Sequence, residues 1–151
     1  MDGLWRRKGG RLLVTALLVG LAVVALAVLI PDRETADLGG TAWTLVAYGP
    51  TDAPIAAEAP ARIAFEANGR FSGSTGCNQF SGNYRAAGGR LEFVDNEVAM
   101  TLADCPAETP EGQQNTFFRA HLRSGIPYSE TADRLTLHFA DGQIAEYVRA
   151  Q

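Results

Sequence analysis

The residues best able to do chemistry in this sequence are its two cysteines, Cys77 and Cys105. In an oxidising compartment they would form a structural disulfide, which closes a loop of about 29 residues and stabilises by about 3 to 4 kcal/mol in the chain-entropy treatment. Two alternatives stay open: a pair of small buried thiols, and a redox-active or nucleophilic pair. The last is disfavoured because the spacing is not Cys-x-x-Cys and no basic residue adjoins either sulfur to stabilise a thiolate. We expect the disulfide.

Neither a metal site nor a second kind of nucleophile is predicted elsewhere. His121 and His138 are the only histidines, and they fall on separate predicted elements without the spacing of metal ligands. Ser74 and Ser81 flank glycine-rich turns but lack the Gly-x-Ser-x-Gly pattern of a nucleophile elbow. The glycine stretch precedes neither a lysine nor a helix, so it does not resemble a phosphate-binding loop. We predict no catalytic residue, no metal and no cofactor, and expect that the protein is not an enzyme.

The charges are divided unequally along the chain. Four basic side chains and one carboxylate give residues 1–30 a net charge of +3, whereas nine arginines and sixteen carboxylates give residues 31–151 a net charge of −7. A domain this acidic is repelled by phosphate backbones, which argues against a nucleic acid partner. The simplest explanation of its negative charge is solubility.

The amino-terminal part is predicted to be a membrane segment. Residues 12–30 form an uncharged apolar run of about 19 residues, long enough to cross a hydrocarbon core as a helix. Because basic residues precede this run, residues 1–11 are expected in the cytoplasm and the rest of the chain outside. A cleaved signal peptide is the alternative, since the Ala-Leu-Ala sequence at 25–27 offers a small-x-small site. The length of the run favours an uncleaved anchor.

The remaining chain is predicted to be one β-rich domain. A polar linker over residues 31–40 ends in two glycines, and residues 41–151 form the folded domain. Alternating apolar residues predict strands over 41–48, 62–66, 70–75, 80–85, 90–94, 126–130, 134–139 and 144–149.

Turn signals separate these strands. The Asn-Gly pair at 68–69 predicts a two-residue hairpin turn because both residues accept positive φ, and the Asp-Gly pair at 141–142 also predicts a turn. Isolated glycines inside strand-like segments suggest bulges, bends or close approach of backbones. These glycines are Gly73, Gly76 and Gly82.

Residues 109–123 are predicted to form the one helix. Thr109 is a capping hydroxyl and Pro110 suits the first helical position. One face carries Gln114, Phe118 and Leu122. We interpret it as core-facing, with a partner-binding surface as the alternative. The fold class is therefore α+β: a curved antiparallel sheet of about seven or eight strands packed by one helix, preceded by an N-terminal transmembrane helix.

Three stretches around the cysteines carry a recognisable pattern: Gly-Ser-Thr-Gly-Cys-Asn-Gln-Phe-Ser-Gly-Asn-Tyr at 73–84, Gly-Arg-Leu-Glu-Phe at 89–93, and Met-Thr-Leu-Ala-Asp-Cys-Pro at 100–106. They resemble the META domain, the HslJ-like heat-shock family of bacterial envelope proteins. The resemblance covers residues 38–149, and the residues that carry its motif are Trp43, Gly76, Cys77, Asn78 and Pro106. It implies a small domain of antiparallel strands with one helix, and it implies no known reaction.

The expected function is that of a non-enzymatic META domain tethered to the bacterial cytoplasmic membrane through residues 12–30, single-pass, with its C-terminal domain extracytoplasmic or exported after cleavage. The resemblance implies a role in envelope stress tolerance or interaction with a protein partner in the envelope. One alternative is binding of a hydrophobic small molecule or lipid in a cavity of the curved sheet. A second alternative is a thiol-disulfide enzyme that uses Cys77 and Cys105.

Overall fold

The computed structural model describes residues 38 to 151, and within them the chain forms ten antiparallel strands, one α-helix and a short 3-10 helix at Val94–Asn96. Their bounds are β1 Thr41–Pro50, β2 Ile55–Ala56, β3 Arg62–Phe65, β4 Arg70–Ser74, β5 Gln79–Ala87, β6 Arg90–Phe93, β7 Ala99–Met100, α1 Pro110–His121, β8 Ile126–Glu130, β9 Arg134–His138 and β10 Gln143–Arg149. No helix in this part of the chain is long and apolar enough to cross a membrane. The predicted segments 1–11 and 12–30 lie outside the described residues.

Eight of the strands in the described part close into a barrel. In the order β1, β3, β4, β5, β6, β8, β9 and β10, each strand pairs with the next, and β10 pairs back onto β1. The two-residue strands lie beside this ring, because β2 pairs with the second half of β1 and β7 with the first half of β5. The predicted antiparallel sheet and single helix are confirmed. The sheet curves further than predicted, closing completely, which makes the domain mostly β.

A bulge in β1 helps the barrel to close. Leu45 lies opposite Tyr147 of β10, but Ala47 lies opposite Glu146, so β1 carries one extra residue between them. A bulge of this kind bends its strand and increases the local twist. The first half of β1 can therefore pair with β3 while its full length runs along β10.

The barrel interior is filled by side chains that alternate along the strands. Inward positions are apolar and outward positions are mostly polar, as period-two patterning requires. The largest fully buried side chains from the strands are Trp43, Ile63, Phe65, Phe71, Leu91, Leu135, Leu137 and Tyr147. Burial raises the pKa of the Tyr147 hydroxyl well above its ordinary value because the anion would be desolvated.

Two strand glycines lie against both aromatic rings and backbone carbonyls, and the backbone contacts agree with the predicted close approach of backbones. A Cβ on Gly73 would overlap the ring of Phe80 on the neighbouring strand. A Cβ on Gly82 would lie 2.7 Å from Cε1 of Phe71. Because real Cβ atoms do not approach so closely, larger residues at these positions would displace rings of the core.

The hairpin turns differ in part from the prediction. Of the Asn-Gly pair, only Gly69 has a positive φ, of 84°, and the Glu66 amide donates to the Arg70 carbonyl at 2.8 Å. The loop therefore has three residues, and the predicted two-residue turn is wrong. The two-residue turn with two positive φ angles occurs at Gly88 and Gly89, with φ of 59° and 72°.

Helix α1 lies across one end of the barrel instead of along its wall. It begins as predicted, with Pro110 in the first turn and the Thr109 hydroxyl accepting from the Gly112 amide at 3.1 Å, and it ends at His121, before the predicted Arg123. Its side chains contact the residues where strands of that end begin or finish, including Tyr48 and Phe139. The core-facing stripe is confirmed, because Gln114, Phe118 and Leu122 are all buried.

Candidate functional site

Four buried polar side chains lie where helix α1 meets the loop between β4 and β5. They are Thr75, Asn78, Gln114 and Asn115, and we call them the polar centre. They are the buried polar residues of the described part of the chain. Three of them have no solvent exposure, so each of their polar atoms requires a partner inside the protein.

Asn78 connects the loop after β4 to the segment that follows β7. Its Oδ1 accepts from the Thr101 hydroxyl at 2.7 Å and from the Ala103 amide at 2.8 Å. Its Nδ2 donates to the Ala103 carbonyl at 3.2 Å and to Oδ1 of Asn115 at 3.1 Å. Both ends of the amide are thus fully used in holding backbone and helix together.

Gln114 performs the same task for the loop before β3. Its Oε1 accepts from the Ala59 amide at 3.1 Å, and its Nε2 donates to the carbonyls of Ala59 and Thr75, each at 3.1 Å. The Thr75 hydroxyl donates to Oδ1 of Asn115 at 3.1 Å and accepts from the Asn78 amide at 2.9 Å. The Gln114 side chain therefore joins α1, the loop before β3 and the loop after β4.

The two cysteines are joined in a disulfide beside the polar centre. Their Cα atoms are 6.3 Å apart, and Nδ2 of Asn78 lies 3.2 Å from Sγ of Cys105. The described residues contain no free cysteine. In this state the pair has no thiolate to act as nucleophile, so it serves as a covalent link between the two segments that Asn78 also joins.

The other motif residues are divided between this site and the barrel core. Gly76 has a φ of 97° in the turn before Cys77, and the Pro106 carbonyl accepts from the Thr109 hydroxyl at 2.9 Å ahead of the helix. Trp43 is fully buried in the core, where its Nε1 donates to the Thr41 hydroxyl at 2.7 Å. The structure brings four of the five motif residues together and places Trp43 elsewhere.

The sequence predicts one member of the polar centre on the helix but not the side-chain partners of Asn78. Gln114 is predicted on the core-facing stripe with Phe118 and Leu122, and a polar side chain in such a stripe indicates a buried, hydrogen-bonded amide. Asn115 and Thr101 carried no such signal, because their roles depend on long-range contacts with Asn78.

Both histidines are engaged and line one groove. Nδ1 of His121 lies 2.7 Å from the Phe117 carbonyl, and its Nε2 lies 2.8 Å from Oδ2 of Asp141. That hydrogen bond to His121 lowers the pKa of the Asp141 carboxyl. Nε2 of His138 lies 3.1 Å from the Ser129 hydroxyl. No group of three potential metal ligands occurs among residues 38–151.

Two surface grooves stand out. The first, of about 720 Å³, runs over the outer face of β1, β3, β4, β5 and β7. Small side chains in cross-strand register form its bottom: Ala42, Ala64, Ser72, Ser81 and Ala99. The second, of about 520 Å³, lies where the chain leaves α1 and enters β8, beside the end of β9. We call the second one the helix-end groove; its lining includes Arg90, His121, Arg123, Ile126, His138 and Asp141.

Comparisons with known proteins agree with this architecture. A model of the META domain family matches residues 36–151. A protein from Burkholderia xenovorans solved by NMR has a TM-score of 0.59 and 24% identity, over 76% of this chain and 84% of its own. Another protein solved by NMR has a TM-score of 0.54 and 28% identity, over 72% of this chain and 88% of its own. No curated protein matches the sequence.

Proposed function

Because the chain belongs to the META domain family, we propose that it is a non-enzymatic, membrane-tethered domain of the bacterial envelope. Its barrel lies outside the cytoplasmic membrane, and its role is in tolerance of envelope stress through interaction with another envelope component. Residues 12–30 supply the tether.

The observation that carries the non-enzymatic part is the use of the polar centre. An active site needs polar groups whose hydrogen bonds are left for substrate, or a nucleophile held next to a base. In Asn78 and Gln114, both the oxygen and the nitrogen of the side-chain amide are instead hydrogen-bonded to backbone groups or to Asn115. The most conspicuous residues of the sequence therefore act as a scaffold that fixes α1 across the barrel end.

The disulfide supports the extracytoplasmic part. A bond between Cys77 and Cys105 persists on the oxidising side of a membrane and is reduced in the cytosol. The basic residues ahead of position 12 favour the same orientation, because positive charge is retained in the cytoplasm.

Topology is tested with two fusions at the carboxyl end of the full chain. Alkaline phosphatase is active only outside the cytoplasm, and green fluorescent protein exported through the Sec pathway stays dark. We expect an active phosphatase fusion and a dark fluorescent one, both retained in membranes after a carbonate wash. A fluorescent, soluble fusion would refute the tethered, exported domain. A mature chain that is shorter by about 27 residues would show that the amino-terminal segment is a cleaved signal peptide and not an anchor.

The interaction role is tested by cross-linking in intact cells. The full chain, carrying a photoreactive residue in place of Ser72 in the groove over the outer face of β1, β3, β4, β5 and β7, is expected to give a discrete cross-linked product after heat stress. The same residue in place of Asp133, on the turn before β9, is the control. Identical products from both positions, or none from either, would contradict a specific partner at this face.

A further inference from the structure

The helix-end groove has two arginines against one carboxylate in its lining, whereas the domain around it is acidic. Residues 38–151 contain eight arginines and thirteen carboxylates, a net charge of −5. The groove nevertheless gathers Arg90, Arg123 and both histidines. Asp141 is the one carboxylate among its lining residues in the described part. Glu92 pairs with Arg90 from outside the lining, so an anion is attracted to this groove chiefly by Arg123.

Most of these basic groups already have partners. Arg90 donates to the Gly125 carbonyl, and its Nε lies 3.8 Å from Oε1 of Glu92. His121 is bound to Asp141. Arg123 is exposed, and its guanidinium has no hydrogen bond or ion pair to the rest of residues 38–151. It is the cation of the groove whose donors remain available.

The floor beside Arg123 is apolar. Ile126 and Phe139 are nearly buried there, and Ala120 and Pro127 contribute their small apolar surfaces. The volume of about 520 Å³ lies in the ordinary range for small-molecule sites. The groove therefore combines an apolar floor with the available guanidinium of Arg123.

We propose that the helix-end groove binds a small monocarboxylate with an apolar body, of the fatty-acid type. The Arg123 guanidinium presents a planar fork that matches one carboxylate with two parallel hydrogen bonds. A dianionic phosphate would need a second available cation and would lie close to the Asp141 carboxylate. The hydrocarbon body covers Ala120 and Pro127, which are exposed, and the small part of Ile126 and Phe139 that solvent still reaches. This binding role goes beyond the proposed envelope function and does not depend on the membrane tether.

The probe is a twelve-carbon fatty acid carrying a diazirine, applied to the purified full chain in a neutral detergent. The detergent keeps the full chain in solution whether or not residues 12–30 anchor it in a membrane. The outcome of this binding test is therefore independent of the topology test. We expect light-dependent labelling of the peptides that contain Ala120 or Phe139, competed by decanoate and not by decanol. Arg123→Gln should raise the probe concentration for half-maximal labelling about tenfold.

Two matched pairs of variants test whether labelling depends on the groove itself. Arg119→Gln removes the same charge from the exposed side of α1 outside the groove and should leave labelling unchanged. Ala120→Leu fills the groove and should reduce labelling, whereas Thr116→Leu, exposed on the same helix, should not. Equal labelling of the two arginine variants, or competition by decanol as strong as by decanoate, would overturn the proposal.

Discussion

Replacing Asn78 by alanine should destabilise the domain strongly although no atom of the hydrophobic core changes. The variant loses four hydrogen bonds to oxygen and nitrogen atoms, of the Thr101 hydroxyl, the Ala103 amide and carbonyl, and Asn115. It also loses the weaker 3.2 Å contact of Nδ2 with Sγ of Cys105. Thr101 and Asn115 keep other partners, since the Thr101 hydroxyl also accepts from the Gln79 amide at 3.0 Å. The two backbone groups of Ala103 lose the partner that Asn78 provided.

The magnitude follows from these losses. A net contribution of about 0.5 to 1.5 kcal/mol per hydrogen bond, with the low end for groups that water can reach, gives a loss of about 2 to 4 kcal/mol. Because a marginally stable domain has only about 5 to 15 kcal/mol in total, such a loss is readily measured.

The assay is denaturant unfolding of the full chain, followed by the fluorescence of the buried Trp43. Asn83→Ala, on the exposed side of β5, the strand that follows Asn78, is the matched control and should change the free energy of unfolding by less than about 0.5 kcal/mol. If Asn78→Ala is no more destabilising than Asn83→Ala, the polar centre does not hold the fold and the scaffold interpretation fails.

Three further predictions use the same unfolding measurement. Serine at both cysteines should lower the free energy of unfolding by about 3 to 4 kcal/mol, and an unchanged value would mean that the disulfide adds nothing. Gly73→Ala should cost about 1 to 3 kcal/mol because its methyl group overlaps both the Phe80 ring and the Arg62 carbonyl oxygen; a neutral result would show that ring and strand both shift without cost. The lowered pKa of Asp141 contributes stability that is present above its unfolded-state pKa of about 3.9 and is lost as pH falls through its folded-state pKa. Asp141→Asn should therefore lose less stability than the natural chain between about pH 5 and pH 2, and parallel losses would contradict the linkage.

Local signals in the sequence predicted most of the secondary structure. The helix start at Thr109 and Pro110 carries its own capping chemistry, and the structure places it there. The strands with clear alternation appear within one or two residues of their predicted bounds. The short strands β2 and β7 were missed, because two residues are too few to show a period.

Closure of the barrel could not be read from local pattern. It depends on β1 pairing with β10 across almost the whole domain, and on the bulge between Leu45 and Ala47. The turn at 68–69 shows the same limit at short range, since Asn-Gly fits both a two-residue turn and the three-residue loop that forms.

The sequence predicted which motif residues belong to the candidate site, but it did not predict which other residues contact them. Gly76, Cys77, Asn78 and Pro106 were selected through a family resemblance, and they do lie together. The residues that use up the hydrogen bonds of Asn78, namely Asn115 and Thr101, come from distant elements. Only the folded arrangement supports the interpretation of this motif as structural.

The most direct test of the account is the redox state of the two cysteines in living cells. Cells are quenched in acid, free thiols are alkylated, and the full chain is analysed by mass spectrometry. An exported scaffold predicts one intramolecular Cys77–Cys105 link and no alkylated thiol under all growth conditions. Two alkylated thiols, or a mixed disulfide with another protein, would contradict it and would point to a cytosolic or thiol-exchanging protein.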